Sequence, residues 1–125
     1  MKSKEINKLF GNKLGGTKQM QYFVISVLNN MPDKIAKYVS INTWFLGSFD
    51  EAWAFTFTGN DLKDKHLIFI SDDLLTQSSY IIRYTIAHEI GHIILKHRNS
   101  FFKKQTKIEI KKQEKEADEF AKKYT

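Results

Sequence analysis

Residues 79–96, Ser79-Tyr-Ile-Ile-Arg-Tyr-Thr-Ile-Ala-His-Glu-Ile-Gly-His-Ile-Ile-Leu-Lys96, constrain this chain more than any other stretch. Wound as a helix, their apolar residues point in nearly every direction, and a helix that is hydrophobic all round is buried. Yet the stretch carries His88, Glu89 and His92. Ionisable groups inside a buried helix need partners, because an isolated buried charge is too costly. Residues four apart lie one above the other, about 40° apart round the axis, so His88 and His92 aim two imidazoles at one point. That arrangement suits two of the four positions of a tetrahedral Zn2+ ion. Glu89 sits about 100° round from His88, beside such a metal, where its carboxylate can take a proton from a metal-bound water. The pattern His-Glu-x-x-His arises by chance in roughly one chain of this composition in 150. The burial of this copy favours a metal over two core histidines satisfied by backbone carbonyls.

A catalytic zinc keeps three protein ligands and one water. The chain has no cysteine, so the third ligand is a histidine or a carboxylate. His97 falls about 140° off the face of His92. The longer motif that ends in a third histidine is absent: Leu95 and Arg98 stand where its glycine and histidine belong. His66 is distant, precedes a strand and reads as a surface residue. The last helix offers Glu109, Glu114, Glu116, Asp118 and Glu119. Asp118 and Glu119 point away from its apolar stripe, Glu114 and Glu116 flank it, and Glu109 shares a side with Glu116. Helical periodicity alone leaves that choice open.

The remaining chain supplies the scaffold. At 125 residues it is long enough for one core, expected over 17–125, with 1–16 as a loose polar arm. Thr17 to Asn30 carries Met20, Phe23, Val24, Val27 and Leu28 at helical spacing, with Thr17 as N-cap. Pro32 opens a second short helix to about Tyr38. Ile41 to Leu46 and Ala52 to Thr58 read as strands joined by a turn at Gly47-Ser-Phe-Asp50, hence a hairpin; in the second, Trp53, Phe55 and Phe57 alternate with small or polar residues. His66 to Ile70 is a third strand. Ser71 and Ser78 or Ser79 are N-cap candidates before the motif helix. A basic loop over 97–106 leads to a helix from about Lys107 to Tyr124, whose stripe is Ile110, Ala117, Phe120, Ala121 and Tyr124.

No stretch approaches the roughly 20 apolar residues of a membrane span, and Lys2, Lys4 and Lys8 precede no continuous apolar core of a signal peptide, so a cytoplasmic protein is expected. The net charge of +6 is concentrated from Lys96 onward. It lacks the aromatic–basic interleaving of a nucleic-acid module and reads as a solvated lysine-rich face.

His88-Glu89-Ile-Gly-His92, followed by Glu114-Lys-Glu116-Ala117-Asp-Glu-Phe120-Ala121, resembles the ImmA/IrrE family of metallopeptidases. The likeness covers roughly residues 38 to 121, including Leu67-Ile-Phe-Ile-Ser71 and the run into His88. It implies an α+β, zincin-like fold, a small β-sheet packed against the buried motif helix and closed by a C-terminal helix. It also implies zinc held by His88, His92 and Glu116, with Glu89 as general base. The family cleaves or inactivates helix-turn-helix repressors of phages, mobile elements or stress responses. Residues 1–37 are too short to hold a DNA-binding domain beside the family helix, so that partner is expected to be a separate chain. The rival expectation is a non-catalytic, metal-stabilised module that grips such a repressor. Tyr84, one turn before His88, and His97 are candidates for stabilising the oxyanion.

Overall fold

A computed structural model describes residues 1–48, 54–57, 65–96 and 106–125. In chain order its elements are α1 (Ser3–Phe10), β1 (Leu14–Gly15), α2 (Lys18–Asn29), α3 (Asp33–Asn42), β2 (Thr43–Ser48), β3 (Ala54–Phe57), β4 (His66–Ser71), α4 (Asp72–Leu75), α5 (Ser79–Ile94) and α6 (Lys107–Tyr124). The architecture is α+β, with a four-stranded sheet ordered β1-β2-β4-β3. β1, β2 and β4 run parallel, and β3 is antiparallel to β4.

That order overturns the hairpin. β2 pairs with β4, from Thr43↔His66 to Ser48↔Ser71, and β4 separates it from β3. The composition of the strands gives the reason. Leu67-Ile-Phe-Ile70 is a continuous apolar run, which suits a central strand covered on both faces, whereas β3 mixes in threonine and takes the edge. Phe49 to Trp53 and Thr58 lie outside the described residues, as do the side chains of Phe55 and Phe57. The start of β2 also shifts. α3 continues through Ile41 to Asn42, its last turn held by Ser40 Oγ donating to the Ala36 carbonyl (2.6 Å) and Asn42 Nδ2 to that of Tyr38 (2.9 Å).

The expected loose arm is instead a helix followed by a strand. Ile6 and Phe10, four apart on α1, are fully buried, and Phe10 meets Phe45 edge-on at 5.7 Å. Gly11, at φ 58°, turns the chain into β1, whose Leu14 pairs with Phe45. An eight-residue helix is marginal alone, and its stability comes from this burial.

Elements with strong local signals form as expected. The hydroxyls of Thr17, Ser71 and Ser78 accept from the backbone N–H groups of Met20, Leu74 and Ile81, capping α2, α4 and α5. α5 runs through the core: Ile82, Ile86, Ala87, Ile90 and Ile93 are buried against α2, β3 and α6. Each isoleucine so covered contributes about 1.5–3 kcal/mol. On α6, Ala117 and Ala121 are buried and Phe120 and Tyr124 pack partly against the core, but Ile110 is 45% exposed, and the other residues in the first turns of α6 are exposed as well. Among the described residues no helix is long and apolar enough to cross a membrane.

Candidate metal centre

The spacing of His88 and His92 does bring their imidazoles together, with ring centroids 4.8 Å apart and planes at 86°. Their ligating nitrogens and a Glu89 carboxylate oxygen lie within 4.8 Å of one another, a group that can hold a metal ion. Glu89 is buried, and its Oε2 stands 3.9 Å from His88 Nε2 and 3.8 Å from His92 Nε2. Burial pushes its carboxyl up from 4.5 to about 7. The Glu114 charge adds to that rise, while His88 and the Thr56 hydroxyl oppose it. From β3, Thr56 Oγ1 donates to the Glu89 carbonyl oxygen at 3.4 Å, tying the edge strand to the motif helix.

α6 brings two more carboxylates, neither of them Glu116. Glu114 Oε2 lies 2.8 Å from His88 Nε2, and its Oε1 lies 3.3 Å from His92 Nε2. Asp118 Oδ1 lies 2.8 Å from His88 Nδ1 and accepts a hydrogen bond of 3.1 Å from the Tyr84 hydroxyl. Glu116 is turned about 200° round the axis from Glu114. Of the carboxylates on α6, it is Glu114 and Asp118 that stand within 3.3 Å of the imidazoles; Glu116, the ligand that the family resemblance implies, makes no ion pair with them. The signal that finds both residues is Glu114-x-x-x-Asp118, two carboxylates four apart on one face, matching the spacing of the two histidines they meet.

The close approach of the two helices depends on Gly91. A Cβ there would lie 3.1–3.2 Å from Phe120, so the motif glycine lets α6 sit directly on α5. The Tyr84 hydroxyl donates to Asp118, and burial, then that bond, raises its pKa above 10.0. His97 lies outside the described residues. His66 is not a surface residue. It is buried at the start of β4, with its Nε2 2.9 Å from the Tyr38 hydroxyl.

The donor set fits a tetrahedral metal. An ionised carboxylate only accepts, so His88 Nδ1–H donates to Asp118. Its Nε2 then faces a Glu114 oxygen at 2.8 Å, a contact that requires a proton or a metal cation between the two. Ligand atoms about 2.0–2.1 Å from a tetrahedral zinc lie roughly 3.3 Å apart. Glu114 Oε1 stands at that spacing from His92 (3.3 Å), Glu114 Oε2 lies inside it from His88 (2.8 Å), and Glu89 Oε2 lies outside it from both (3.8 and 3.9 Å).

A family model described as Peptidase U49 matches residues 41–124, about two thirds of the chain. No curated protein and no solved structure matches it.

Proposed function

Because this chain belongs to the Peptidase U49 family, we propose that it is a zinc-dependent endopeptidase whose metal is held by His88, His92 and Glu114, with Glu89 as general base. The observation that carries this reading is the Glu114 carboxylate facing both imidazole Nε2 atoms at 2.8 and 3.3 Å.

A bound zinc supplies Lewis acidity, lowering the pKa of a water it holds to about 7 and polarising a peptide carbonyl. The residues around it do the rest. Asp118 fixes the His88 ring through Nδ1, and Tyr84 fixes Asp118. Glu89, buried beside the two imidazoles, takes the proton of the attacking water and returns it to the leaving amine. Among the described residues β3 pairs on one side only, with β4. An extended peptide laid along this strand would run beside Thr56, one contact from Glu89.

Main-chain pairing of that kind carries little sequence information. Selectivity then comes from docking a folded partner, in a regulatory and not a digestive role. The resemblance to ImmA/IrrE metallopeptidases points to a separate helix-turn-helix repressor as that partner and to a cytoplasmic setting. The test is to incubate zinc-loaded protein, and its Glu89→Gln variant, with casein and with candidate repressors, and read cleavage by mass spectrometry. Cleavage of one repressor by the parent protein alone is expected. Rapid, indiscriminate digestion of casein would overturn the regulatory reading, and equal activity of Glu89→Gln would overturn the mechanism.

A further inference from the structure

A cleft of about 520 Å³ opens between α2, the start of α5 and the end of α6, lined in part by Asn30, Tyr80, Arg83, Lys122, Lys123 and Tyr124. Three cationic side chains line it and no Asp or Glu side chain does, the α-carboxylate of Thr125 being the one anionic group in the lining. Arg83 is half-buried and held in place: Nε donates to Ser26 Oγ at 3.3 Å, and the guanidinium lies 5.2 Å over the Phe23 ring. Nothing described bonds its two terminal nitrogens. Lys123 rests over Tyr124, and Glu119, one turn earlier on α6, pairs with neither lysine. Ion pairs between described residues are confined to Met1 with Asp33 and to the cluster round His88 and His92.

A planar guanidinium fixed against a ring, with its fork unpaired and two lysines alongside, is built for carboxylates. We infer that this cleft is an exosite that docks an acidic segment of the protein substrate. Its position separates it from the cleavage site. Arg83 precedes His88 by about 7.5 Å of helix rise and points about 140° away round the axis. It grips the partner outside the strand-edge channel. Tyr80 and Tyr124 give the cleft amphipathic walls suited to a peptide, and its size matches a few side chains rather than a nucleic-acid backbone. The nature of the partner rests on the peptidase reading.

The test is fluorescence anisotropy of a fluorescein-labelled hexaglutamate peptide with the metal-free full chain, with a hexaglutamine peptide as reference. Lys122→Ala/Lys123→Ala is expected to weaken hexaglutamate binding by roughly tenfold or more, and Arg83→Gln to do the same. Lys34→Ala/Lys37→Ala, which removes the same charge outside the cleft, is expected to change it less than about twofold. Equal losses from the two lysine pairs would mean diffuse attraction and overturn the exosite. Displacement of the peptide by inorganic phosphate or a single-stranded oligonucleotide at lower concentration than by unlabelled hexaglutamate would overturn the carboxylate assignment. Because the measurement involves no catalysis, cleft-specific binding by a chain that cleaves nothing would remove only the peptidase reading, and cleavage unaffected by these variants would remove only the exosite.

Discussion

Asp118 Oδ1 accepts from His88 Nδ1 across the α5–α6 seam at 2.8 Å, so the ring that begins the motif is oriented by a helix 30 residues further along the chain. Carboxylates in this position fix the tautomer and strengthen the histidine as a ligand. Asp118→Ala is expected to lower zinc affinity about 10–100-fold, with Tyr84→Phe moving it the same way by less. Competition against a chromophoric chelator measures both. Unchanged affinity in Asp118→Ala would remove the orienting role.

Glu114 and Glu116 are separable by one pair of variants. Glu114→Gln, which loses the charge facing both imidazoles, should no longer hold stoichiometric zinc, whereas Glu116→Gln should. Elemental analysis of the two purified proteins decides it, and the reverse pattern would restore the assignment implied by the family resemblance.

Glu89 carries a pH signature in the metal-free protein. Its carboxyl is raised from 4.5 to about 7, so between those values the folded chain keeps a proton that the unfolded chain has released. Stability therefore falls as pH rises through this window, by up to about 3 kcal/mol, and stays low above it. Glu89→Gln removes that penalty. In urea denaturation with a chelator present, it should be more stable than the parent at pH 8, and the gain should shrink toward pH 5. A gain that does not depend on pH would show that the buried charge is not its source. Loaded with zinc, the same variant should keep its metal and lose hydrolysis.

Gly91 should behave as a spacer. Adding a methyl group where Phe120 stands 3.1–3.2 Å away pushes α6 outward, costing about 1–3 kcal/mol and drawing Glu114 and Asp118 off the histidines. Gly91→Ala is expected to weaken zinc binding as well as stability, and Phe120→Leu in the same chain to recover part of both. Zinc affinity untouched by Gly91→Ala would mean that the seam can open without moving the site.

Much of this centre is local, and so is legible in the sequence. Two histidines four apart, the Ser78 cap and the full span of α6 all follow from a 3.6-residue period and hydrogen bonds within one turn. The same information sets Glu89 beside the two imidazoles, because its angle from His88 is fixed by the helix that carries both. Strand order, the burial of Ile6, Phe10 and His66, and which carboxylates of α6 meet the histidines are different in kind. Each depends on which surfaces meet, and helical phase says only that Glu114 and Glu116 both border the apolar stripe. The rotation of α6 against α5, set where Phe120 packs on Gly91, turns Glu114 and Asp118 toward the histidines and Glu116 away. That rotation is a contact between segments distant in the chain, and only the tertiary structure decided it.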